Sequence, residues 1–372
     1  MIIAVNTRLL LKKKLEGIGW FTYETFKRIA QQHPEHQFIF IFDRPFSEEF
    51  IFSSNVTPVI IGPQARHPVL FYWWFEFSIK NLLKKLKPDI FVSPDGYLSL
   101  SSKVKSLAVM HDLNFAHYPK DLPFIIRKYY NYFFPLFARK AKRIATVSEF
   151  SKQDIINQYQ ISPDKIDVVY NGASELFKPV AENIKHLTKE KYSKGRPYFI
   201  YVGSIHPRKN ITNLLFAFDE FKRSCPCDVQ LLIVGEKYYW TSEMRIAYEN
   251  TEHREEIIFT GRLYSENLRN VIASALALTY VSYFEGFGIP IIEAMCCDTP
   301  VITSNVTSMP EIAGDAALLV DPFSINSIKE AMVRMYKDET LRKGLIEKGK
   351  IRRQEFTWQK SADKLWESIL MC

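Results

Sequence analysis

The stretch EGFGIPIIEAM, residues 285–295, follows directly on the apolar run ALALTYVSYF, residues 275–284. An apolar run of strand length that stops at a carboxylate, two glycines and a proline reads as a buried strand feeding a helix through a tight turn. Glu285 then emerges at the strand's carboxyl end, where parallel sheets bind their ligands. Gly286 and Gly288 let the backbone turn and approach a ligand with no Cβ in the way. Pro290 suits the first turn of a helix. The backbone N–H groups of residues 286–289, Phe287 and Ile289 among them, then make an anion site with the helix dipole behind it. Glu293 lies about one turn into that helix. A buried carboxylate there needs hydrogen-bond donors, such as the paired hydroxyls of a ribose. The competing reading is a capping turn with a solvent-facing glutamate. The joint occurrence of strand, glycines, helix start and two carboxylates weighs against it.

Working outward, apolar runs of strand length alternate with helix-period stretches along the whole chain. The first half reads as strands at MIIAVN (1–6), QFIFIFD (37–43), DIFVSP (89–94), SLAVMHD (106–112), RIATVS (143–148) and KIDVVYN (165–171). The second half repeats the pattern at PYFIYVG (197–203), VQLLIVG (229–235), EIIFTG (256–261), LALTYVS (276–282), PVITS (300–304) and AALLVD (316–321). Such near-continuous apolar strands between helices indicate an α/β protein with parallel sheets covered on both faces. Two Rossmann-like domains are expected, at 1–178 and 198–355, joined by a polar linker at 179–197. An amphipathic helix over 356–372 closes the chain.

At 372 residues the chain is too long for one core, which agrees with two domains. Its 47% hydrophobic and 24% charged residues are ordinary for a globular protein. No apolar run is long enough to span a bilayer, and the N-terminal basic cluster follows the apolar residues, the reverse of a signal peptide. A cytoplasmic location is expected. Five cysteines without a C-x-x-C motif indicate neither a disulfide framework nor a structural metal. The net charge of +8 is uneven: residues 1–178 hold 24 Lys/Arg against 16 Asp/Glu, and the remainder balance at 25 each. The first half should therefore meet something anionic. No nucleic-acid reading motif accompanies it, so nucleic acid is not expected.

The run from FTGRL (259–263) through SYFEGFGIPIIEAMCCDTPVITSNVTSMPEIAGDAALLVDP (282–322) resembles the retaining glycosyltransferases of family 4. YVGSIHPRKN (201–210), TVSEFSK (146–152), VYNGA (169–173), MHD (110–112) and EGIGW (16–20) extend the resemblance over most of the chain. It implies a GT-B fold: two Rossmann-like domains facing a central cleft, with the C-terminal helix returning to the first. It also implies a nucleoside-diphosphate sugar as donor. Glu285 and Glu293 match the family's Glu-x7-Glu motif. The first would contact the donor sugar, the turn from Gly286 to Ile289 its phosphates, and the second the ribose.

Other candidates follow from both lines of reasoning. Arg208 and Lys209 come after the first strand of the second domain, beyond Gly203. As a mere start to the helix NITNLL they oppose its dipole, whereas the family uses such cations to neutralise the diphosphate. Gly17 and Gly19 begin a helix after a basic loop, as a nest for phosphate or sugar or as a plain helix start. His111 ends a strand beside Asp112 and resembles the family's sugar-contacting histidine. Ser148 and Glu149 read as a helix cap, Asn171–Gly172 as a closing turn, and Glu311 serves either structure or function. Asp298 and Ser204 depart from the family, which often has glycine at the first and arginine or threonine at the second.

The expected chemistry is transfer of a hexose to an acceptor hydroxyl with retention of configuration, the departing phosphate taking the acceptor's proton. No D-x-D triplet occurs, so the clamp should be cationic and metal-free, with no cofactor. Variants such as HPRKN resemble bacterial mannosyltransferases of surface polysaccharide assembly, which implies GDP-mannose. UDP-glucose, UDP-galactose and an N-acetylhexosamine donor stay open, as do a sugar-nucleotide epimerase on the same fold and a non-catalytic assembly partner. The acceptor is a saccharide or a lipid-linked one. The segments 71–87 and 124–143 interleave aromatic residues with cations, which suits peripheral binding to an anionic membrane surface on the inner face of the cell membrane. Ordinary sheet-covering helices are the alternative.

Overall fold

The computed structural model describes residues 1–12, 14–237 and 239–372. The chain forms two compact units, Met1–Gly172 with Trp358–Cys372, and Ala173–Thr357. Sequence reading placed a linker at 179–197. Glu182–Ser193 is instead a helix that belongs to the second unit, and the division falls at Gly172–Ala173. Its many lysines concealed a face that packs on the helix Ser265–Ala273.

The first unit holds a seven-stranded sheet of β1 (Ile2–Asn6), β2 (Gln37–Phe42), β3 (Val56–Ile60), β4 (Ile90–Ser93), β5 (Ser106–Met110), β6 (Arg143–Thr146) and β7 (Ile166–Val168). All pairs are parallel, in the order β3-β2-β1-β4-β5-β6-β7. The second unit holds six parallel strands: β8 (Tyr198–Val202), β9 (Gln230–Val234), β10 (Ile257–Gly261), β11 (Ala277–Tyr280), β12 (Val301–Ser304) and β13 (Leu318–Val320), ordered β10-β9-β8-β11-β12-β13. Strands β8, β9 and β11 are buried along their whole length, as helices on both faces require. The strand order reverses between β1 and β4 in one sheet and between β8 and β11 in the other. Such switch points leave a crevice at the strands' carboxyl ends, where α/β sheets bind ligands.

The C-terminal helix Trp358–Leu370 packs in the first unit, against the helix Gly17–Gln32. Trp366 stacks on His33 at 4.0 Å and Trp358 meets the edge of Phe21 at 6.4 Å. Asp298 occupies the left-handed region (φ 54°) just past the helix Ile289–Cys296, where glycine is the usual choice. Its carboxylate accepts from Arg353 Nη1 at 2.9 Å, which offsets the strain of a side chain in that conformation. Among the described residues no helix is long and apolar enough to cross a membrane.

Candidate functional site

The residues at the β8–β11 switch point form one electrostatic unit. After β8 the chain passes Gly203 and enters the short helical turn Pro207–Lys209. His206 caps that turn by accepting from the Arg208 N–H at 3.4 Å. Burial and the two adjacent cations lower the His206 pKa to about 4, so its ring is neutral and can accept. Asn210 ends the turn in the left-handed region (φ 61°) and donates to the carbonyls of Val281 (3.0 Å) and Pro322 (2.7 Å). Tyr283 N–H donates to the Arg208 carbonyl at 3.0 Å. The cation loop is thereby tied to the segment leaving β11.

That segment carries Glu285, which is 5% exposed. Arg208 Nη1 donates to its Oε2 at 2.6 Å, and Lys209 Nζ donates to its Oε1. Tyr280 Oη donates to Oε1 at 2.9 Å and accepts from Lys209 Nζ at 2.7 Å. Burial alone would raise the Glu285 pKa, but Arg208 and Lys209 bring it down to about 2. Two cations share one carboxylate, so the cluster carries a net positive charge, and Arg208 keeps part of its guanidinium at the surface. Tyr280 was missed in the sequence because it sits inside an apolar strand. The one signal was a hydroxyl among aliphatic neighbours.

Beyond Glu285 the turn through Gly286 and Phe287 is held from behind. Ser308 Oγ is within hydrogen-bond distance of the carbonyls of Glu285 (2.9 Å) and Phe287 (3.1 Å), and Glu285 N–H donates to Thr307 Oγ1 at 3.3 Å. Gly288 takes φ +100°, which a side chain would resist, and the helix begins at Ile289. Glu293 follows within that helix. Among the described residues no donor reaches its carboxyl group, and burial pushes its pKa up to about 8. It is an acceptor without a partner, whereas Glu285 is saturated.

Gly17, Gly19 and His111 lie in the first unit. Both glycines are in the first turn of the helix Gly17–Gln32 and neither has a left-handed φ, so the turn is a helix start rather than a nest. A Cβ on Gly19 would stand 2.9 Å from the Leu9 carbonyl oxygen, which explains the glycine there. His111 follows β5, its ring edge-on to Phe21 of that helix at 5.2 Å. Its Nε2 lies 2.9 Å from the Pro94 carbonyl, which can only accept, so Nε2 carries the proton and Nδ1 the lone pair. Burial lowers its pKa and keeps the ring neutral. A second pair was missed in the sequence. Arg8, after β1, donates to Asp95, after β4, at 2.6 Å, under the rings of Phe71 and Tyr97.

Ser148 is the helix cap expected of it, accepting from Ser151 N–H at 3.0 Å. Asn171–Gly172 closes the first segment of the first unit. Glu311 lies in the short helix Met309–Ala313, where its backbone carbonyl accepts from Arg352. Among the described residues, the one group of side chains spaced to hold a metal is Asp219, Glu252 and His253. Asp219 is already engaged by His253 and Arg223, and the group shares no residue with the Glu285 cluster.

Two units of these strand orders define a GT-B fold, and comparisons with known proteins agree. The sucrose-phosphate synthase of Thermosynechococcus elongatus superposes over 99% of each chain with a TM-score of 0.80 at 19% identity. The family model described as Glycosyltransferase Family 4 matches residues 15–175, and the one described as Glycosyl transferases group 1 matches residues 183–352. The chain belongs to the family 4 glycosyltransferases. It is 27% identical to the O-antigen chain mannosyltransferase B of Escherichia coli over 361 residues, 94% of each chain. It is 29% identical to the O-antigen chain mannosyltransferase RfbU of Salmonella typhimurium over 223 residues, covering 60% of this chain and 58% of that one.

Proposed function

We propose that this glycosyltransferase moves a mannosyl group from GDP-mannose to a hydroxyl of a saccharide or lipid-linked acceptor, with retention of configuration and without a metal, in bacterial surface polysaccharide assembly. The observation that carries the reading is the Arg208–Glu285–Lys209 cluster at the switch point, a fixed net positive charge beside a helix N-terminus. Such preorganised charge suits a diphosphate leaving group, whose negative charge grows as the sugar departs. In the proposed reaction the bond from the anomeric carbon to the β-phosphate oxygen breaks. The acceptor oxygen bonds to that carbon on the same face, and its proton passes to the departing phosphate. Glu293, lacking a donor, supplies the acceptor for the ribose hydroxyls. The neutral His111, with Nδ1 free to accept, contacts a sugar hydroxyl. The mannose assignment rests on the names of the Escherichia coli and Salmonella typhimurium relatives.

A panel of nucleotide sugars, read by donor hydrolysis and thermal shift, tests the donor. GDP-mannose should stabilise the protein most and be hydrolysed fastest; preference for a UDP-hexose would overturn the donor and leave the transferase reading standing. Product NMR should show the donor's anomeric configuration kept, and inversion would remove the same-face mechanism. Activity should also survive excess EDTA, because Arg208 and Lys209 supply the positive charge that a metal would otherwise bring. Loss of activity restored by magnesium or manganese would contradict that.

A further inference from the structure

Residues 68–86 run as one helical stretch, Pro68–Trp73, a π-helical turn Trp74–Ile79, and Lys80–Leu86. Its inner face is fully used. Trp74, Phe75, Ile79 and Leu83 are core residues, and Phe71 and Phe75 stack over buried Arg8. Its outer face is apolar too, which a plain sheet-covering helix does not need. Val69 is 65% exposed, Trp73 53% and Phe77 45%, with the Trp73 and Phe77 rings 4.8 Å apart. Tyr72 joins them and packs against Phe133 of the neighbouring helix Phe124–Lys140 at 5.8 Å. On that second helix Phe124 is 62% exposed and Tyr132 66%. Two adjacent helices of the first unit thus present one surface of tryptophan, tyrosine, phenylalanine and aliphatic side chains.

The same surface is basic. Residues 66–87 hold five Lys/Arg against one acid, and residues 119–143 hold seven against one. The acid of the first set, Glu76, is turned to the backbone N–H groups of Leu100 and Ser101. Lys84 and Lys85 stand exposed at the end of the first helix, and Lys128 is exposed beside Phe124 on the second. Amphipathic aromatic rings flanked by cations match the boundary between headgroups and acyl chains of an anionic bilayer. A second copy of this chain is a poor fit, since a self-complementary contact would set these cations against each other.

We infer that this two-helix surface seats the protein on anionic lipid, with Trp73, Phe77, Tyr72 and Tyr132 entering the interface and Lys84, Lys85 and Lys128 on the headgroups. The inference goes beyond the donor and the reaction, and vesicle binding is read without either. The full chain is floated with vesicles of phosphatidylglycerol and phosphatidylcholine, or of phosphatidylcholine alone. It should rise with the first and not the second, and the bound fraction should fall about tenfold when salt shrinks the Debye length to roughly 3 Å at 1 M. Trp73→Ser with Phe77→Ser, and separately Lys84→Gln with Lys85→Gln, should each lower binding about tenfold, with melting temperature and donor hydrolysis unchanged. Absence of binding at low ionic strength, or variants that float like the parent, would overturn the inference. So would a concentration-dependent dimer abolished by the Trp73 and Phe77 changes without vesicle binding, which would assign the surface to self-association.

Discussion

Replacing Glu285 by alanine is expected to lower turnover by about 10²–10³-fold while affinity for bare GDP changes little, the size seen when a preorganised electrostatic group is lost. Glu285 fixes Arg208 through one oxygen and Lys209 through the other, with Tyr280 sharing the second. Without it the two cations still attract a diphosphate but repel each other, so their aim at the developing charge is lost. Steady-state kinetics and calorimetry separate the two effects. Equal losses of affinity and turnover would make Glu285 a ground-state binder. Removing the counter-ion also leaves a partly buried pair of cations, at a cost of about 3–5 kcal/mol. Glu285→Gln, which keeps one acceptor oxygen, is therefore the companion variant. The acid limb provides a further check. A carboxyl held near pH 2 contributes stability that is present above the ordinary carboxylate range and fades as pH falls through about 2. The glutamine variant should lack that contribution.

Glu293 behaves in the opposite sense. Glu293→Ala should weaken GDP binding about tenfold or more, through loss of the hydrogen-bond partner of two ribose hydroxyls. Unchanged affinity would remove Glu293 from the ribose. With its pKa raised to about 8 by burial, the free protein holds this group protonated at neutral pH. The unfolded chain ionises it in the ordinary carboxylate range, so its penalty on stability grows from there up to about pH 8 and is constant above. Glu293→Gln should therefore raise the melting temperature more at pH 8 than at pH 5. An equal shift at both values would show that the carboxyl is not held protonated.

The fold was largely legible because most of the parallel strands lie within near-continuous apolar runs with no need of alternation. All six strands of the second unit were readable this way, as were β1, β2 and β4–β7. Strand β3, VTPVI, escaped because it is half exposed and carries Pro58, which an edge strand tolerates. The helix Glu182–Ser193 escaped because charged residues outnumber its apolar ones. Within the site, Glu285, Arg208 and Lys209 were each nameable from local pattern. Their mutual pairing was not, because it depends on β8 lying beside β11 although 74 residues of chain separate Val202 from Ala277. The same adjacency hid the Arg8–Asp95 pair between β1 and β4.

The helix Trp358–Leu370 packs with residues made at the other end of the chain, and this imposes an order on synthesis. The second unit is one uninterrupted segment and can close on the ribosome as soon as Thr357 has cleared the exit. The first unit, although translated earlier, must wait with Phe21 and His33 uncovered until Trp358 and Trp366 arrive. The part of the protein made first is thus the last to be finished, and a chain that has released Thr357 but not Trp358–Cys372 carries one completed unit and one that is still open.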